Sequence, residues 1–104
     1  MVPPNPKPDV RWDDVVCAAS AQVSSRVGDE VAVLGLDRAV YFGLNPVGAR
    51  IWELVQKPVR LDRVAEAIVA EYEVDESTVR SDLMELVERL LAEGLLELRD
   101  GTAP

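Results

Sequence analysis

The apolar positions fall into two regimes. Up to about residue 44 they come in short β-branched and aromatic runs bounded by turn residues. Beyond it they recur at helical spacing. Gln22–Val27 ends at Gly28-Asp29, Glu30–Leu36 ends near Asp37-Arg38, and Ala39–Leu44 follows, which predicts a three-stranded antiparallel meander. In the third run, alternation puts Val40, Phe42 and Leu44 on one face and Tyr41 and Gly43 on the other. Asn45-Pro46 then marks a helix start: asparagine suits the N-cap, and proline at the first helical position loses no intrahelical bond. This helix runs to about Val55, burying Val47, Ile51, Leu54 and Val55, and Lys57-Pro58 ends it.

A second helix is predicted over Leu61–Tyr72, where Leu61, Val64, Ala65, Ile68, Val69 and Tyr72 make one stripe. Asp75 caps a third, which runs to about Glu93 with Gly94 as the residue that ends it. Leu95–Leu98 adds a short strand or a packing tail. Strands first and helices after define an α+β domain like a winged helix-turn-helix: one three-stranded antiparallel sheet, then three helices. The expected limits are a flexible proline-rich tail and lead-in over 1–21, a domain over 22–98 and a C-terminal tail over 99–104.

Projecting the third helix at about 100° per residue from Val79 places Leu83, Leu86 and Leu90 within about 40°, the expected core face. Val87, Arg80, Leu91 and Met84 fall on one flank, at about 80°, 100°, 120° and 140°. That flank is more apolar than a single core contact requires. It either packs on the sheet or on Leu95–Leu98, or walls a groove. The strand Val40–Leu44 lies at the edge of a sequential meander, yet has no charge or proline to block further pairing. An extended peptide could add there, or a second copy of the chain.

Composition narrows the chemistry. With 104 residues, 48% apolar and 29% charged, the chain fits one small domain with little room for a deep active site. It has no histidine and one cysteine, Cys17, which removes Ser-His and Cys-His nucleophile pairs, histidine zinc sites, thiolate cages and an internal disulfide. Gly43 and Gly48 are isolated, and no phosphate-binding glycine loop occurs. No apolar run is long enough to span a bilayer, and the start, with four prolines in eight residues, lacks the apolar stretch of a secretory signal. A cytoplasmic, non-enzymatic protein without cofactor or metal is expected.

Charge bears on nucleic acid. Residues 61–74 carry Arg63 against Asp62, Glu66, Glu71 and Glu73. Residues 75–93 carry Arg80 and Arg89 against Asp75, Glu76, Asp82, Glu85, Glu88 and Glu93. Seven of the eight excess negative charges thus lie where a helix-turn-helix would meet phosphates, and they would repel them.

The run YFGLNPVGARIWELV (Tyr41–Val55), preceded by VAVLGL and followed by EYEVDESTVRSDLMELVERLLAEGLL, resembles the PqqD family over about Val23–Leu98. Leu44-Asn45 entering the helix, with Gly48, Trp52 and Gly94-Leu95-Leu96, carries the resemblance. It implies a winged-helix-like fold with no activity of its own, serving pathways to ribosomally made, modified peptides. It also implies that a precursor's leader adds as an antiparallel strand to Val40–Leu44 beside the third helix. On this sequence the implied peptide site is Val40, Tyr41, Phe42, Gly43 and Leu44, walled by Arg80, Met84, Val87 and Leu91, with Leu83 at the floor. Asn45, Gly48 and Trp52 serve the fold. The implied partners are the leader and a modifying enzyme, a leader peptidase in lasso peptide synthesis (the preferred pathway) or a radical enzyme in pyrroloquinoline quinone synthesis. A winged-helix regulator and a dimeric scaffold are the alternatives.

Overall fold

The computed structural model describes residues 10–20, 22–36 and 40–99. The elements run β1 (Val15–Ala18), β2 (Gln22–Val27), β3 (Glu30–Gly35), β4 (Val40–Leu44), α1 (Pro46–Leu54), β5 (Val59–Arg60), α2 (Leu61–Tyr72), α3 (Glu76–Ala92) and β6 (Leu96–Arg99). The predicted meander forms in the order β2-β3-β4, fully antiparallel, with Val33 opposite Ser24 on one side and Phe42 on the other. Gly28, at φ 65°, supplies the left-handed backbone that its two-residue turn needs.

The described residues form two three-stranded sheets, not the single one expected. The second has the order β5-β1-β6, with β1 at its centre, antiparallel to both neighbours. The expected lead-in is therefore part of the domain from Val10 onward; the proline-rich residues 1–9 and residues 100–104 lie outside the described residues. Val15, Val16, Cys17 and Ala19 are buried. The lead-in also completes α2, which has no side-chain cap. The amide N–H groups of Leu61 and Asp62 donate instead to the carbonyls of Asp14 (3.0 Å) and Trp12 (2.9 Å). Free N–H groups at a helix start must find acceptors somewhere, and here a segment more than forty positions away along the sequence provides them.

The three helices form as predicted. The Asn45 side chain accepts from the Gly48 amide at 2.8 Å, and Asp75 accepts from the Thr78 amide at 3.1 Å. A β-carbon at Gly48 would meet the Asn45 Oδ1 and Leu44 side-chain atoms at 3.3 Å, so the cap itself favours glycine there. α3 ends in a Schellman turn: Gly94, at φ 77°, donates to Leu91, and Leu95 donates to Leu90. The turn sends Leu95 and Leu96 back into the core. That core joins Val31, Val33 and Leu44 of the meander to Trp52 and Val55, to Leu61, Val64 and Ile68 of α2, and to Leu83, Val87 and Leu90 of α3.

Candidate functional site: a cleft between the sheet edge and the third helix

β4 has β3 on one side only, so its other edge is unpaired within the described residues. Its side chains alternate as predicted. Leu44 is buried and Phe42 and Val40 half-buried toward the core, while Tyr41 stands 72% exposed on the outer face and Gly43 is exposed beside it. Beside this edge a cleft of about 550 Å³ opens between β4 and α3, with α1 and α2 at its end. Phe42, Gly43 and Leu44 form one side, Ile51 and Ile68 the end, and Val79, Leu83 and Leu86 the floor and far wall.

Some of the apolar side chains left in water line this cleft, while others, such as Val23, Leu34 and Tyr41, lie side by side on the outer face of the meander. Val47 (38% exposed), Tyr72 (40%) and Val74 (43%) line the cleft, although the periodicity of α1 and α2 assigns Val47 and Tyr72 to the core stripes. Scattered exposed apolar residues are ordinary, but a contiguous patch inside a concavity is the usual mark of a binding surface. Ion pairs outside the cleft join its supports: Arg50 of α1 pairs with Glu71 of α2 at 2.9 Å and with Glu53 at 3.1 Å, and Arg26 of β2 also pairs with Glu53. The Arg26 and then the Arg50 hydrogen bonds hold the Glu53 carboxyl below its usual range. These pairs are exposed and add little energy individually.

The structure divides the expected site residues into two groups. Phe42, Gly43, Leu44 and Leu83 line the cleft, and Val40 begins the same strand. Arg80, Met84, Val87 and Leu91 do not. Val87 is fully buried at 0% exposure. Met84 and Leu91 pack half-buried against the core, and Arg80 lies over the Trp12 ring at 4.6 Å while pairing with Glu76 at 2.9 Å. The wall of the cleft is the opposite flank of α3: Leu86 with Asp82, Glu85 and Arg89.

The physical reason is a rotation of the core stripe. Its most buried members, Leu83, Val87 and Leu90, centre on about 45° from Val79, so Val79 is an edge position and Leu86 falls outside the stripe. On the flank that the projection leaves open, Trp12 of the lead-in lies against Arg80, and Met84 borders a second, shallower cleft with Ser81, Glu85 and Glu88. One signal of this cleft wall beside β4 is present in the sequence: Leu86 is the sole apolar member of the flank it shares with Asp82, Glu85 and Arg89.

Arg89 bridges the cleft, its guanidinium carbon 4.9 Å from the centroid of the Phe42 ring. An exposed cation–π contact of this kind contributes roughly 0.5–1 kcal/mol. It ties α3 to the strand whose edge is unpaired among the described residues.

Residues 30–96 match the family described as coenzyme PQQ synthesis protein D. The chain belongs to the PqqD family. Among solved structures, this PqqD-family chain resembles "TbiB1 in Complex with the TbiA(beta) Leader Peptide", with 42% identity and a TM-score of 0.72 over 78% of this chain and 94% of that one. It also shares a fold with the tRNA-dependent lantibiotic dehydratase MibB from Microbispora sp. 107891. That match has 21% identity and a TM-score of 0.56, and covers 84% of this chain but 8% of the other. No curated protein matches. The family match begins at Glu30, so β1 and β2 lie outside it. No helix among the described residues is long and apolar enough to cross a membrane.

Proposed function

We propose that this PqqD-family protein is a non-catalytic leader-peptide-binding element acting in the cytoplasm. The leader of a ribosomally made precursor adds as an antiparallel strand to β4 and seats apolar side chains in the cleft against α3. The observation that carries this reading is the edge of β4, unpaired among the described residues, opening directly onto that apolar cleft. Main-chain hydrogen bonds along β4 would set direction and register, and the cleft would select side chains. Likeness to a chain solved with a leader peptide bound supports the reading.

Each well-buried anchor contributes roughly 1.5–3 kcal/mol. Ordering the leader costs on the order of 2–5 kcal/mol. Two or three apolar anchors are therefore needed, and the cleft volume lies within the range of about 300–1,000 Å³ usual for ligand sites. The peptide site comprises Val40–Leu44 and Leu83 with Leu86 as the wall, replacing Val87. The partner is a separate modifying enzyme, a leader peptidase of lasso peptide synthesis in the preferred case and a quinone-pathway enzyme in the second. In this reading α2, α3 and the β2–β3 hairpin are a winged helix-turn-helix turned to peptide binding.

The test is fluorescence polarisation with labelled leaders of candidate precursor peptides, paired with amide hydrogen exchange. Saturable binding with protection of β4 amides is expected. Absence of binding, or binding that leaves β4 unprotected, refutes the assignment. A dimer formed through β4 without peptide would identify a scaffold instead.

A further inference from the structure

Among the described residues, five arginines pair with carboxylates: Arg26 with Glu53, Arg50 with Glu71, Arg60 with Asp62, Arg63 with Glu66 and Arg80 with Glu76. Arg89 is in a different situation. Acidic Glu85 precedes it by one helical turn, yet its guanidinium lies over Phe42, across the cleft, and no carboxylate among the described residues pairs with it. A guanidinium held through its face keeps its N–H edge, and that planar fork matches a carboxylate. The ring beneath it restrains a long side chain before any ligand arrives, which lowers the ordering cost of a new pair.

The rest of the wall is of opposite sign. Asp82 and Glu85 line the same cleft toward the N-terminal end of α3. Seven residues of helix separate Asp82 from Arg89, about 10 Å along the axis. An extended peptide covers that distance in about three residues. A peptide lying along the cleft thus meets a cation near one end and two carboxylates toward the other.

We infer that Arg89 is a specificity-determining residue, reading a side-chain carboxylate in the bound peptide, with a neutral or basic residue about three positions away beside Asp82 and Glu85. The inference rests on the leader-binding reading and deepens it. Apolar anchors supply affinity for the cleft, and the charge pattern sets which peptide enters and reinforces the direction fixed by strand pairing, because reversing the peptide would bring its acidic residue against Asp82 and Glu85.

The competing role is a latch that only ties β4 to α3, and the two separate experimentally. A randomised peptide library is selected by display on the immobilised full chain and on Arg89→Gln, Arg89→Glu and Arg89→Lys. Enriched peptides are then resynthesised with Asp, Asn or Lys at the selected position and measured by fluorescence polarisation. Wild type should enrich apolar anchors plus one acidic position, and should lose about tenfold in affinity on Asp→Asn in the peptide, less at high salt. Arg89→Gln should bind the Asp and Asn peptides alike, Arg89→Glu should favour Lys, and Arg89→Lys should keep a reduced acidic preference. Arg89 is exposed, so these variants should fold, and circular dichroism checks each. If wild type enriches apolar anchors with no acidic position, Arg89 is a latch and the inference fails while peptide binding stands. If nothing is enriched, peptide binding and this inference fail together.

Discussion

Leu86 and Val87 are neighbours on α3, and the structure gives them opposite duties. Val87 is fully buried among core residues, whereas Leu86 is half-buried and lines the cleft. Val87→Ala removes two buried carbons, about 1.6 kcal/mol at roughly 0.8 kcal/mol per methylene. The cavity left behind adds to this, for a total of about 2–3 kcal/mol. A domain of this size loses about 4–8 °C in Tm per kcal/mol, so the midpoint should fall by about 10–20 °C. Val87→Glu would place a carboxylate in the core without a partner and should leave the chain unfolded. Leu86→Glu, by contrast, puts its carboxylate at an open wall. It should shift Tm by only a few degrees but weaken leader binding at least tenfold, about 1.4 kcal/mol. The assay is thermal denaturation by circular dichroism alongside fluorescence polarisation with a labelled leader. If Val87→Glu stays folded and loses binding while Leu86→Glu binds normally, the cleft has been placed on the wrong flank of α3.

Other outcomes follow from the same structure. Asn45→Ala removes the acceptor for the Gly48 amide and should cost about 0.5–2 kcal/mol in urea denaturation, with Asn45→Asp largely retaining the cap. Hydrogen bonds from Arg26 to Glu53, from Arg60 to Asp62, and from Ser77 and the Thr78 amide to Asp75 hold these carboxyls below their usual range in the folded state. Their stabilisation is therefore complete above the ordinary carboxylate range and is lost as pH falls through and below it; Tm followed from about pH 7 to about pH 2 should show this, with a smaller drop in Asp75→Asn. The net charge of −7 over residues 61–93 should prevent any complex with duplex DNA in low-salt mobility shifts, and a salt-sensitive complex at micromolar protein would overturn that reasoning. Incubated alone with its precursor, the protein should leave the peptide's mass unchanged, and processing should require both this protein and the partner enzyme. Turnover by the protein alone would refute the non-catalytic reading.

Sequence alone determined what short-range physics controls. Asn45 and Asp75 mark helix starts because their side chains reach amides three residues on, and Gly94 marks an end because it tolerates positive φ. Gly28-Asp29 sets the register of β2 against β3, and the stripe of α2 names its core face from Leu61 to Ile68. The uncharged edge strand Val40–Leu44 was also legible, since alternation and the absence of a blocking residue are local properties. Tertiary structure decided which surfaces are covered. The apolar run Val15–Cys17 is too short to declare a strand, and its partners β5 and β6 lie about forty and eighty positions away. Once β1 is seated between them, Trp12 comes against Arg80, and Met84 and Leu91 are left half-buried against the core. The opposite flank of α3, with Leu86 and Arg89, is left facing β4. A helical projection measures the width of an apolar stripe but contains no information on what lies against each side, because that depends on pairing between distant segments.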